Sequence, residues 1–421
     1  MEITKLLALS PCALFFCGGV SASESPSFGG PDSVDNTIAD NKKGSQKPWR
    51  ESLAEDHGIT LGLDYNALAI YATDPNQVDL GALAGTDDSS AAGVARFYGS
   101  WNLIGKESGN TGGISWKIEH RHSYTDLSPK FHSLNGGINP AGIIGSAYSD
   151  QGTRLTLLHW KQKFNGGKTT LIAGWSDVSD YVDTYALGSP WSGFTNLAFS
   201  TGSAAMGLPD DGVLTLAVGH MITNNVYVIA GIADANGKSD DPLDGFDSLF
   251  NQHDLFTTLE LGWTASQDRI YTDNVHLTVW QLDATVQDDG SYRHGKEDSK
   301  GVNFSASYFA TEKVMPFLRG GFSEGDASLT KASVSAGLGY YALGSANNNL
   351  GFAVNWAQPN DQQVDFGPFY KDKDQYTAEL YYNIGLGKHV NITPDIQYIK
   401  NPALSSEDST WVMGIRVNAK I

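Results

Sequence analysis

From Ile59 to the end of the chain, hydrophobic and polar positions alternate with a period of two. Ile59-Thr60-Leu61-Gly62-Leu63-Asp64-Tyr65-Asn66 sets apolar residues against small or polar ones at every step. Successive side chains of a strand point to opposite faces, so such a segment has one apolar face and one wet face. The pattern predicts strands over residues 59–70, 93–104, 113–124, 153–164, 168–176, 213–221, 224–233, 255–265, 274–284, 300–310, 313–323, 330–342, 348–357, 375–385, 389–399 and 409–421, roughly sixteen in all. Each is about ten residues, the length that a tilted strand needs to cross the hydrocarbon of a membrane.

The gaps alternate as well. After even-numbered strands they are short, as at Asn165-Gly166-Gly167 and Leu386-Gly387-Lys388, and after odd-numbered ones they are mostly long, as at 71–92, 125–152 and 177–212. Short turns on one side and long loops on the other is the layout of an outer-membrane barrel. The fold class expected is therefore all-β: a transmembrane antiparallel β-barrel of about 16 strands, with short periplasmic turns and long extracellular loops, over residues 59–421.

What precedes the barrel reads differently. Residues 1–22 resemble a secretory signal: a short polar start with Lys5, an apolar run from Leu6 to Val20, and the small-residue site Val20-Ser21-Ala22. A lipoprotein signal ending at Cys17 is disfavoured by Phe16. Residues 23–58 form an N-terminal lead, polar and aperiodic to about residue 48, then one short helix stopped by Gly58. Cys12 and Cys17 are the only cysteines, and both fall in the signal, so the processed chain has no thiol, disulfide or Cys-based metal site.

Composition fits this layout. The chain has 47 Gly, 18 Tyr, 18 Phe and 10 Trp among 421 residues, with 18% charged and a mean hydropathy of -0.27. Alternating faces cancel in the average while aromatic girdles accumulate. Net charge is -19, and losing Glu2 and Lys5 with the signal leaves it unchanged. Such a charge argues against nucleic acid as a partner. No apolar run is long enough for a spanning helix, so a membrane would be crossed by a closed barrel.

Parity sorts the strands by face. In 113–124, Ser115, Lys117, Glu119, Arg121 and Ser123 face inward, while His120 and His122 share the apolar side with Ile114, Trp116, Ile118 and Tyr124. The same sorting puts Asp64, Arg96, Tyr98, Tyr227, Glu260, Asn303, Arg319, Asn355, Glu379, Tyr381, Asp395 and Gln397 inside, joined by His159 and Lys161 past an expected bulge at Leu157-Leu158. A barrel this wide is not filled by side chains and leaves an aqueous channel. Its longest connection, 177–212, is the candidate constriction loop. Carboxylates and guanidinium groups bind sugar hydroxyls, while aromatic faces cover C-H surface. Asp177, Asp180, Tyr181, Asp183 and Trp191 offer that chemistry opposite Arg96, Glu119, Arg121 and Lys161, with Glu260 and Arg319 also among the candidate pore-lining or solute-binding residues. The alternative is that these groups tie the loop to the wall.

From about Arg50 onward the chain resembles the carbohydrate-selective porin family, the OprB type. The likeness rests on Leu53-Ala54-Glu55-Asp56-His57-Gly58-Ile59, on Ala173-Gly174-Trp175-Ser176-Asp177-Val178-Ser179-Asp180-Tyr181-Val182-Asp183, on Phe194 to Phe199 and Leu208-Pro209-Asp210-Asp211-Gly212, and on Tyr227 to Gly237. Glu379-Leu380-Tyr381-Tyr382-Asn383 and Thr393 to Pro402 add to it. The resemblance implies a sixteen-stranded porin that passes monosaccharides and similar small neutral solutes down their gradient, without energy input, and no cofactor is expected. It implies as partners small sugars, outer-membrane lipid and lipopolysaccharide, and the barrel-assembly machinery, with the pore a monomer or a homotrimer. The chain departs from the pattern at its end, Ile421 in place of the usual Phe, and at Trp175, where a charged residue is expected.

Other classes fit less well. A lipid hydrolase needs a Ser-His pair, and only the outward His120 and His122 hint at one, with no Gly-x-Ser-x-Gly elbow. An adhesin barrel predicts a plugged lumen and apolar loops, whereas these loops are polar. An anionic-solute pore draws support from an Arg96, Arg121, Lys161, Arg319 ladder. His253-Asp254 and Asp240-Asp241 could hold divalent ions, but on an acidic loop surface such groups are more often solvated charge, and Asp87-Asp88 and Asp234-Ala235-Asn236-Gly237 lack the spaced ligands of a calcium loop.

Overall fold

The computed structural model describes residues 28, 49–74, 88–136, 141–287, 290–362, 373–403, 405 and 407–420. The expected signal (1–22), most of the lead, Asp87 and Ile421 lie outside these.

A helix, α1 (Trp49–His57), leads into the barrel. It stops at Gly58, whose φ of 71° is a left-handed conformation that costs glycine little; the Gly58 N–H closes the last turn on the Ala54 carbonyl at 2.9 Å. Sixteen strands follow: β1 (Ile59–Ala72), β2 (Ser89–Ile104), β3 (Gly112–Ser123), β4 (Gly152–Phe164), β5 (Thr169–Ser176), β6 (Val213–Met221), β7 (Val226–Asp234), β8 (Leu255–Thr264), β9 (Asn274–Leu282), β10 (Ser299–Ser307), β11 (Val314–Glu324), β12 (Thr330–Tyr341), β13 (Asn349–Pro359), β14 (Gln375–Leu386), β15 (Val390–Lys400) and β16 (Ser409–Lys420). Each pairs antiparallel with its chain neighbours, and β1 closes on β16 from Asp64↔Lys420 to Ala72↔Val412. Closure matters because lipid offers no partner for an open edge. No helix among the described residues is long and apolar enough to cross a membrane; the strands do the crossing.

The two faces separate cleanly. Along β9, Asn274, His276, Thr278, Trp280 and Leu282 are buried inside, while Val275, Leu277 and Val279 are exposed outside. Inside, several aromatic rings lie over a glycine of the adjacent strand: Tyr98 over Gly62, Tyr227 over Gly262 and Tyr381 over Gly351, with no space for even a methyl group. In β4 the register skips between Lys117↔Leu157 and Ile118↔Leu155, a bulge at Thr156. It brings both Arg154 and His159 to the inner face, where they are buried.

Candidate functional site

The connection after β5 folds into the lumen. Asp177 begins it by accepting the Ser179 N–H at 2.9 Å, capping a short turn over Val178–Asp180. Asp183 then enters with a φ of 46° and becomes the anchor. Its N–H donates to Glu260 at 2.9 Å, and its carboxylate accepts from Arg319 and from the Gly202 N–H, each at 2.7 Å, with His276 Nε2 at 2.9 Å. Arg319 also lies 4.0 Å over the Tyr185 ring. Further along, the Glu379 carboxylate accepts from the Thr195 and Asn196 N–H groups at 2.6 and 3.1 Å, and Arg416 donates to the carbonyls of Pro190 and Gly193 at 2.8 and 2.9 Å. Loop carbonyls, N–H groups and Asp183 thereby satisfy charged wall groups that burial would otherwise penalise.

A second loop, between β3 and β4, also turns inward. Ile144 bridges to Asn196, the Gly145 N–H donates to the Thr195 carbonyl at 2.8 Å, and Tyr148 meets Trp191 edge-on at 5.5 Å. The two loops brace each other.

Strands β1 to β7, with Asn383, Asn391 and Lys420 from β14 to β16, wall a cavity of about 510 Å³. Arg96, Tyr98, Ser115, Lys117, His159 and Lys161 line it from the strands, and Asp180, Tyr181, Ser189 and Trp191 from the loop. Lys117 Nζ stands 3.6 Å from the Asp180 carboxylate, both partly exposed. Arg96 forms a two-point pair with Asp64 at 2.7 and 2.8 Å. Toward the extracellular mouth, Arg121 holds Glu119 at 2.6 Å and also pairs with Asp211, while Arg154 reaches Asp210 at 2.7 Å.

These neighbours shape the loop's charge. Burial, reinforced by Asp180 and Asp211, pushes the Asp177 carboxyl up to about 8. For Asp211 burial acts in the same direction, but Arg121, Lys130 and Arg154 outweigh it and hold the carboxyl well below the usual range. Burial lowers the Lys130 amine.

The ten candidates thus occupy three settings. Asp183, Glu260 and Arg319 are fully buried where the loop meets the wall. Glu119 pairs with Arg121, which also pairs with Asp211 at the end of the loop. Arg96, Lys161, Asp180 and Tyr181 line the cavity, with Asp177 beside them. Trp191, expected as an open aromatic platform, is only 8% exposed and has the Arg96 guanidinium 4.2 Å over its ring. Lys117 and Ser115, inward by parity, join the cavity. Arg154 was missed because the bulge shifts its phase, and Lys130 and Asp211 because aperiodic loops carry them.

On the outer wall, His120 and His122 stack at 5.6 Å and bond to Thr153 and Tyr65 at 3.0 and 2.9 Å, a polar belt with no serine in the arrangement. Among the described residues no group of three His, Asp or Glu side chains is placed to hold a metal ion.

The chain matches the family described as carbohydrate-selective porin, OprB family, over residues 105–420. It is similar to Porin AaxA of Chlamydia felis, with 25% identity over 328 residues that cover 76% of this chain and 68% of that protein. It is also similar to Porin AaxA of Chlamydia abortus, with 22% identity over 76% of this chain and 68% of the other. In fold it resembles the high-pH structure of Pseudomonas putida OprB, with a TM-score of 0.68 and 18% identity, covering 89% of this chain and 96% of that one. With that match spanning well over half of its length and sixteen strands closing the sheet, the chain belongs to the carbohydrate-selective porin (OprB) family and is a multi-pass outer-membrane β-barrel.

Proposed function

We propose that monosaccharides and similar small solutes diffuse passively through this barrel along a lumen that the infolded loop narrows to an eyelet, so that the chain acts as a channel and not as a catalyst. The observation that carries the reading is the infolding of loop 177–212 across the lumen. Pinned to β8, β9, β11 and β14 to β16, and through Asp211 and Asp210 to β3 and β4, it leaves beside it a cavity whose walls pair charged groups with hydroxyls and rings. Lys117 and Asp180 face each other there across 3.6 Å. A sugar hydroxyl both donates and accepts, so it can exchange water for that ammonium and carboxylate in turn, while Tyr98 and Tyr181 offer apolar surface to its C-H face. In planar bilayers, glucose should reduce the ionic current in a saturable way, and Asp180→Asn with Lys117→Met should weaken that block. A current blind to glucose at every concentration contradicts the eyelet.

A second reading, an anionic-solute pore, is favoured by the cavity's ionic groups: Arg96, Lys117, Lys161 and Lys420 against Asp180 among the described lining residues. Faster uptake of a sugar acid than of glucose would select it.

A further inference from the structure

One stretch of the connection between β7 and β8, residues 242–250, lies against the outside of the wall. On β5, Thr170, Ile172 and Ser176 line the cavity, so Trp175 belongs to the opposite, outer face. Its indole N–H donates to the Pro242 carbonyl at 2.9 Å, and the Phe246 ring meets it edge-on at 5.3 Å. On β6, Leu214 is the outward residue nearest the extracellular end, and a Cβ on Gly245 would stand 3.6 Å from it. Ser248 donates to the Asp234 carboxylate at the end of β7, at 2.7 Å. These contacts seat a helical turn over Asp244–Asp247, which continues into a wider turn over Ser248–Gln252, on the outer rim of the barrel.

The side of this stretch turned away from the barrel is apolar. Leu243, Phe246 and Phe250 are 71%, 45% and 64% exposed, and the last two rings stack with centres 6.5 Å apart. Their spacing of i, i+3 and i+7 gathers them on one face, while Gly245 and Ser248, against the barrel, are buried. Four acids border the patch: Asp240, Asp241 and Asp247 are exposed, and Asp244 pairs with Lys238 at 3.3 Å. Three large apolar side chains grouped in this way are unfavourable in water. One outward position below Leu214, Leu216 faces Ile232 of β7, and both are exposed on the wall that crosses the membrane. The patch therefore continues the lipid-facing surface past the end of the strands.

We infer that residues 242–250 form an amphipathic anchor in the outer leaflet of the membrane. Leu243, Phe246 and Phe250 enter the upper acyl chains, Trp175 braces them from the wall, and the four acids stay among the headgroups. The partner is a lipid surface rather than a second copy of the chain, because the patch is continuous with the lipid-facing wall and two copies meeting across it would bring their acidic borders together. The anchor holds this stretch beside the channel mouth, whichever solute the pore passes.

The only cysteines, Cys12 and Cys17, fall in the expected signal, so a single introduced thiol reports on the patch. Leu243→Cys and Phe250→Cys, each carrying a small fluorophore, are compared in the refolded barrel in phosphatidylcholine vesicles, and either position suffices if the other variant does not refold. Leu216→Cys is the lipid-side reference and Asp241→Cys the water-side one. Lipid brominated on the upper part of its acyl chains should quench the labels at 243 and 250 to within about twofold of the label at 216. Iodide in the water should quench mainly the label at 241. Labels at 243 and 250 that are open to iodide and untouched by brominated lipid overturn the anchor. Labels shielded from both quenchers, in a barrel that cross-links as a dimer, overturn it as well and assign the patch to a second copy.

Discussion

The guanidinium of Arg319 on β11 donates to the Asp183 carboxylate at 2.7 Å, joining residues 136 positions apart in the chain. Neither side chain is exposed. Removing one partner of a buried ion pair costs about 3–5 kcal/mol, because the other charge is left behind. The strand ladders do not depend on this pair, so Arg319→Met should loosen the loop while the barrel stays closed. Single-channel recordings should show a larger, noisier conductance, and a quiet current of native size would refute the anchoring role.

The Lys117–Asp180 pair makes a charge-selectivity test. Two unit charges about 4 Å apart in water interact by about 1 kcal/mol, equivalent to about fivefold in a ratio. Lys117→Glu should therefore move the cation-to-anion permeability ratio toward cations by about fivefold or more, read from reversal potentials in a salt gradient. An unmoved ratio would place the ionic path elsewhere.

Asp177 gives the pore a pH dependence. Its carboxyl is held up to about 8 by burial and by Asp180 and Asp211, so it is neutral below that pH and gains a negative charge above it. Cation preference should rise between about pH 7 and about pH 9, where few unperturbed groups titrate. Asp177→Asn should flatten the profile over that window; persistence of the rise in the variant would assign it to another group.

The lipid-facing wall is tested at Leu277, in the middle of β9 and 51% exposed on the outer surface. A lysine there should cost about 2–4 kcal/mol if the position lies near the bilayer midplane. Reversible unfolding in lipid vesicles measures the difference. A neutral result would mean that Leu277 does not face hydrocarbon.

Strand positions and faces were legible in the sequence because a period of two runs through the strands, broken in β4 by the bulge at Thr156. The inward placement of Asp64, Glu260, Arg319 and Gln397 follows from parity alone, and the structure buries all four. Partner choice was not legible. Asp177, Asp180 and Asp183 share one acidic stretch, yet Asp183 is consumed by Arg319 and His276 while Asp180 reaches the cavity. That division depends on the loop's path, which no periodicity encodes. Trp191 likewise depends on Arg96, a residue distant in sequence, for what covers its ring. The second inward loop rests on contacts between aperiodic segments, invisible to any count of spacing.

The central claim is a passive sugar pathway through a loop-narrowed lumen, and liposome swelling with the refolded barrel tests it most directly. Glucose, a neutral disaccharide and a small anionic solute of glucose size are compared under matched osmotic gradients. The eyelet described here predicts rapid entry of glucose and slower entry of the other two. Rates ordered by size alone, or an absence of swelling with any of the three, would contradict it.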